Sequence, residues 1–232
     1  MFFVHEIHAL DPEGAEEFEA TFRDTWLSTV AGDSDSRVVW AVRSLPSAIS
    51  FPEIITLTAV TDGAAMERFG TRMRNGDLAA GTRELDRFRV DHTIRVLAPL
   101  EEFNPYTVEL DSLPVVRDDA PTELYIHDFV IPRLGMQRIY EVQMRESFMK
   151  MLEIEAVPMT TWGGFETVAG GGLTPESLML THVNNGLALA QLVVHGNPRV
   201  RAEPGTWMAD ALALRDTWVS RLVRSLPWSP TS

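Results

Sequence analysis

The chain has 232 residues, a hydrophobic fraction of 45% and a formal net charge of -13, from 33 acidic and 20 basic side chains. That balance argues against a nucleic-acid partner, because phosphate binding draws on clustered Lys and Arg. Zero Cys excludes disulfides, thiolate metal sites and Cys nucleophiles. No apolar run reaches the ~20 residues of a membrane-spanning helix, and no basic region followed by an apolar run opens the chain, so a cytoplasmic protein is expected.

In chain order, residues 2–10 are apolar-rich and stop at Asp11-Pro12, which predicts a first strand. Asp11 is expected to cap the helix that follows, with Pro12 in its first turn, where a missing N–H costs nothing. Ala15, Phe18, Phe22, Trp26 and Val30 recur at helical spacing and give one apolar stripe. Arg37–Leu45 reads as the second strand, Pro46–Pro52 as loop and Glu53–Thr61 as the third strand. Asp62-Gly63 opens a helical region interrupted near Asn75-Gly76, and Thr93–Leu97 is a short closing strand. The order is βαββαβ over residues 1–100.

Residues 101–121 are acidic and rich in Pro, and they read as a connector, with Tyr106–Leu110 as an optional short strand. Residues 122–232 then repeat the pattern. At an offset of 122, His5 matches His127, Glu6 matches Asp128, Arg23 matches Arg145 and Trp40 matches Trp162. The third strands agree best at 123, through Glu53/Glu176, Leu57/Leu180 and Val60/Val183. Residues 134–153 predict a helix, Thr160–Phe165 a strand, Trp207–Arg221 the last helix and Leu222–Leu226 the last strand. Self-similarity at a fixed spacing marks a duplicated structural unit. Each βαββαβ unit makes a four-stranded antiparallel sheet with helices on one side, so two ferredoxin-like units are expected to pack sheet against sheet, an α+β fold.

The strand Val4–Leu10, the turn Asp11-Pro12-Glu13-Gly14 and the Trp40 strand resemble the dimeric α+β barrel superfamily, and its tandem NIPSNAP-like members in particular. That resemblance implies a cavity for a small molecule. It also implies cofactor-independent cyclisation, isomerisation or oxygenation of an aromatic or polyketide-like substrate. A haem-dependent enzyme and a non-catalytic binding protein are the alternatives that it leaves open.

Alternation along a strand puts Phe3, His5 and Ile7 on one face and Val4, Glu6 and His8 on the other. His5 and His127 are candidate bases if their face lines a cavity, since a His of near-neutral pKa can remove an acidic proton. His182, where the first copy has Ala59, is the lead catalytic candidate. Trp40, Trp162, Met179 and Asn184 are candidate substrate contacts, with Gly163-Gly164 read as vacated volume. Glu6 and Asp128, costly on a buried strand unless paired, are expected to form structural ion pairs with Arg23 and Arg145. No metal is expected, because His5-Glu6-Ile7-His8 divides its His residues between two faces. For haem, His182 or His195 could serve as the axial ligand. A hydrophobic small molecule is the expected partner, with no nucleic acid and no membrane, and self-association is left open.

Overall fold

In the computed structural model the described residues are 1–45, 51–100, 103, 109–150, 159–172, 175–186 and 207–231. The stretch Pro46–Pro52, the optional strand Tyr106–Leu110 and His195 therefore lie wholly or partly outside the described residues. The first copy runs β1 (Phe2–Leu10), α1 (Ala15–Thr21), a π turn (Phe22–Trp26), α2 (Leu27–Val30), β2 (Ser36–Ser44), β3 (Glu53–Val60), α3 (Gly63–Asn75), α4 (Asp77–Leu85) and β4 (Arg89–Pro99). The second runs β5 (Leu124–Pro132), α5 (Gln137–Gln143), a second π turn (Met144–Phe148), β6 (Met159–Ala169), β7 (Ser177–Val183), α6 (Trp207–Leu214) and β8 (Arg215–Ser225). Hydrogen bonding orders the strands β1-β3-β2-β8-β5-β7-β6-β4, which closes as an antiparallel α+β barrel of two ferredoxin-like repeats.

The chain forms two compact units, Met1–Ala98 with Thr107–Thr122 and Val223–Ser232, and Pro99–Tyr106 with Glu123–Leu222. The C-terminal residues thus pack with the first copy. Trp228 donates its indole N–H to Glu19 Oε1 at 3.0 Å and lies 5.7 Å from the Phe22 ring. Ser229 Oγ accepts the Ala41 amide at 3.1 Å.

Within the first unit, Val4 and Leu10 on one face of β1 pack with Phe18, Phe22, Trp26 and Leu27 in a single buried cluster. The same face carries Glu6 and His8, so the β1 side that meets the helices is the polar one. Asp62 caps α3 by accepting the Ala65 amide at 2.8 Å, and Gly76 separates α3 from α4 as its sequence position predicts. Asp11 does not cap α1. It turns back on the Glu13 amide at 3.0 Å, and α1 begins only at Ala15, after Gly14. In the second unit the last strand starts at Arg215, where a helix to Arg221 was predicted. Thr217, Trp218 and Val219 are strong β formers, and their preference prevails over a continued helical spacing.

The repeat is more regular in three dimensions than in the sequence. β1, α1 and the first π turn coincide with β5, α5 and the second π turn at an offset of 122 throughout. The offset rises to 123 already at β2/β6. Val39 is the extra residue of a bulge between Val38–Thr58 and Trp40–Leu57, while Trp162 is the extra residue between Thr161–Thr181 and Gly163–Leu180. Trp40 therefore answers Gly163, and Trp162 answers Val39; the Trp40/Trp162 correspondence is a coincidence of sequence. At the last strand the offset is 126. Asp11 N bonds Phe88 O just as Arg133 N bonds Leu214 O, both at 2.9 Å, so Arg89 answers Arg215 and His92 answers Trp218.

Candidate functional site

A half-open cleft of about 50 Å³ lies inside the second unit, between the β5/β7 sheet and its helices. Its polar lining is Asp128, Tyr140, Ser177 and Arg215, and its apolar lining includes Met144, Met179, Trp207 and Trp218. The second π turn supplies Met144 and Phe148, a placement in keeping with the tendency of π bulges to occur at functional sites. Asp128 Oδ1 accepts the Trp218 indole N–H at 2.9 Å. Desolvation raises the Asp128 carboxyl above its ordinary value, against the opposing pull of hydrogen bonds from Ser220 and Trp218 and of the Arg215 charge. Burial likewise pushes the Tyr140 phenol far up, so it stays protonated, while Arg215 donates to it. The Arg215 guanidinium lies 4.4 Å over the Trp218 ring. Its Nη2 is buried and has no hydrogen-bond partner. A cationic N–H left unpaired beside a cleft is costly, unless a ligand oxygen completes it.

The first unit builds the same arrangement from different residues. Glu6 Oε1 lies 3.0 Å from His92 Nε2, and Arg89 Nη1 lies 3.3 Å from His92 Nδ1. An Arg can only donate, so His92 Nδ1 is the acceptor, and the His92 proton sits on Nε2 facing Glu6. Arg89 lies 5.5 Å over the Phe18 ring, where the second unit sets Arg215 against Tyr140. Burial lowers the Arg89 guanidinium from its ordinary value despite Glu6 and Asp86 nearby. His8 is fully buried, with its Nε2 3.2 Å from Thr56 Oγ1 and its ring 4.9 Å from that of His92. Burial first, then the Arg89, His92 and His5 charges, hold His8 well below the ordinary His range, so it is neutral.

These pairings replace the expected ion pairs. Arg23 bonds Asp24 at 2.6 Å on the surface, and Glu6 bonds His92. Asp128 is served by Trp218, Ser220 and Arg215, and Arg145 lies 3.5 Å from Glu146. Arg23 is exposed on its helix, whereas the first residue of the last strand acts on the carboxylate through its charge, Arg89 on Glu6 and Arg215 on Asp128. Sequence reasoning missed Arg89, His92, Arg215 and Trp218 because it compared the copies only at offsets of 122 and 123. At 126, Arg89-x-x-His92 aligns with Arg215-x-x-Trp218, which is the signal that was there to find.

The other predicted site residues are dispersed. His5 and His127 are fully buried, opposite Leu57 and Leu180, on the strand faces turned away from Glu6 and Asp128. His182 shares the Tyr125 face of its sheet, 2.9 Å from Glu123 Oε2 and 5.1 Å from the Tyr125 ring, and is not among the residues lining the cleft. Trp40 is core, Trp162 is half-buried on its bulge, and Asn184 meets Thr160 Oγ1 at 3.3 Å. Met179 alone of these lines the cleft. The volume expected at Gly163 and Gly164 is filled, since a methyl there would meet the Phe165 ring at 3.0 Å and Phe103 Cβ at 2.6 Å. Among the described residues Glu6, His8 and His92 form a group with metal-ligating atoms within 4.8 Å of one another, a grouping that the sequence did not suggest because His92 lies on another strand.

No protein-family model matches the chain. No curated protein matches it either. Among solved structures it is similar to an anthrone oxidase-like protein, with a TM-score of 0.56 and 8% identity over 97% of this chain and 91% of the other. The DyP-type peroxidase of Mycobacterium smegmatis gives a TM-score of 0.54 and 10% identity over 97% and 92%. Chlorite dismutase from Candidatus Nitrospira defluvii gives 0.53 and 9% over 97% and 91%. At such identities the likeness is one of fold, that of the dimeric α+β barrels, across nearly the whole chain. The likenesses that run over nearly the whole chain are to monooxygenase-like, chlorite dismutase and peroxidase structures, which corrects the NIPSNAP-like expectation. No helix among the described residues is long and apolar enough to cross a membrane.

Proposed function

We propose that the protein is a small-molecule enzyme whose active site is the cleft of the second unit. The carrying observation is the buried, unpaired Arg215 Nη2 beside a carboxyl of raised pKa in an apolar recess. In this reading Arg215 and the Tyr140 hydroxyl bind a carbonyl or phenolic oxygen of the substrate. Asp128 takes the proton that this oxygen acidifies, and Arg215 holds the negative charge that develops. A raised carboxyl is the stronger base near neutral pH. Trp207, Trp218 and Met179 favour a flat, largely apolar substrate of aromatic or polyketide-like type, of which the small cleft admits one edge. The substrate anion then isomerises or cyclises and takes the proton back from Asp128, or it is oxygenated with molecular oxygen as the co-reactant and oxidant. The enzymes of similar fold described above include an anthrone oxidase-like protein, which fits this class of chemistry.

Haem does not suit the described residues here. Among the described residues the cleft lining includes no His, and His182 is engaged by Glu123.

Metabolite profiles of a strain lacking the protein, complemented with variants, test the reading. Wild type should clear an accumulating precursor, Asp128→Asn and Arg215→Met should fail to do so while remaining folded, and His182→Ala should act as wild type. Equal rescue by Asp128→Asn and wild type would reject Asp128 as the base. Loss of rescue in His182→Ala alone would move the site to the other face of β7.

A further inference from the structure

We infer that Glu6, His8 and His92 bind one first-row divalent transition-metal ion in the first unit, tying β1 to β4. Glu6 and His8 share the helix-side face of β1, and His92 stands opposite His8 on β4. Two imidazoles and one carboxylate are a donor set for Zn²⁺, Fe²⁺, Co²⁺ or Ni²⁺ rather than for Ca²⁺ or Mg²⁺.

Three observations point to a ligand. The donor atoms lie within 4.8 Å of one another. With metal–ligand distances of about 2.0–2.2 Å, donors around one cation stand roughly 3–4 Å apart, so a small turn of the partly exposed His92 ring completes the set. His8 Nδ1 is buried and has no partner, while its Nε2 meets the Thr56 hydroxyl. An oxygen that accepts from one ring nitrogen leaves the other as a lone pair in a fixed direction, the usual state of a metal-binding His.

The repeat supplies the third. Where the first unit has His8 and Thr56, the second has Val130 and Met179, and Trp218 stands in place of His92. The ligand, its supporting hydroxyl and the second imidazole are exchanged together, and what remains is the Trp218–Asp128 hydrogen bond. A purely structural polar pair needs only that hydrogen bond. His8 and Thr56 add nothing to it that a fold requires.

Binding moves the His92 proton from Nε2 to Nδ1, which frees Nε2 for the cation. Arg89 then turns fully to Asp86, its existing partner at 2.9 Å. The proton count of the site is unchanged.

The test uses the full chain, stripped with chelator and titrated with Co²⁺ while visible absorption and calorimetry are recorded. One equivalent per chain and the d–d bands of a nitrogen–oxygen site are expected. His92→Trp and His8→Val copy the second unit, so they keep the packing and, for Trp, the N–H donor to Glu6. Each should weaken Co²⁺ binding by more than about tenfold, with circular dichroism unchanged. No saturable binding by wild type overturns the inference, and so does undiminished binding by both folded variants. Neither result bears on Asp128 or Arg215 in the other unit.

Discussion

His92 and Trp218 hold the same station in the two repeats, each presenting a ring nitrogen to the strand carboxylate, His92 Nε2 to Glu6 at 3.0 Å and Trp218 Nε1 to Asp128 at 2.9 Å. One geometry thus persists while its chemistry diverges. A histidine can exchange its proton for a cation; an indole cannot. Next to each acid stands an Arg from the first position of the last strand, Arg89 or Arg215. The duplicated frame therefore fixes an acid, a ring N–H and a guanidinium, and leaves the neighbouring positions to set what each unit does. His8 and Thr56 fill the first with donors, while Val130 and Met179 line a recess in the second.

Asp128 predicts a pH signature. Its folded carboxyl is raised, so any stabilisation by the protonated form is complete below the ordinary Asp value of about 3.9 and is lost as pH rises through the folded value. Asp128→Asn does not titrate. Its melting temperature relative to wild type should climb with pH across that window and then level off. A constant difference from pH 3 to 8 would show that desolvation does not act on this carboxyl.

His8 predicts the opposite slope. Its folded value is depressed, so the unfolded chain takes up a proton below about 6.5 that the folded chain refuses. The stabilisation from a neutral His8 is present above that pH and is lost as pH falls. In metal-free buffer, His8→Val should flatten the loss of stability between pH 7 and 5. An unaltered acid slope in denaturant titrations would place the proton uptake elsewhere.

Two glycines predict packing penalties. A methyl at Gly81 would meet Trp26 ring atoms at 2.8 and 2.9 Å, and one at Gly164 would meet Phe103 Cβ at 2.6 Å. Gly81→Ala should destabilise by about 1–3 kcal/mol, although Ala is the better helix former, because the fully packed Trp26 has nowhere to move. Gly164→Ala should cost a similar amount, and Phe103→Ala should not rescue it, since the clash is with Cβ itself. Urea unfolding of the three variants decides both points.

The elements of the first copy were legible from alternation and helical spacing, as were the break at Gly76 and the existence of a repeat. The start of β8 was not, because Trp207–Arg221 carries helical spacing and strand formers at once, and only ladder partners choose between them. The site was half legible. Glu6 and Asp128 stood out as carboxylates on buried strands that needed partners, but the partners were sought on the adjacent helix.

Sequence alone determined that two copies of a βαββαβ unit exist and that each first strand carries an acid, because local spacing and polarity are properties of short segments. Tertiary structure decided the rest. Where the offset changes, at the bulge residues Val39 and Trp162 and again before Arg89 and Arg215, follows from strand register, which backbone hydrogen bonds set across long sequence separations. That register brings Arg89 and His92 to Glu6, and Arg215 and Trp218 to Asp128. It also takes His182 to a different face of its sheet from Met179.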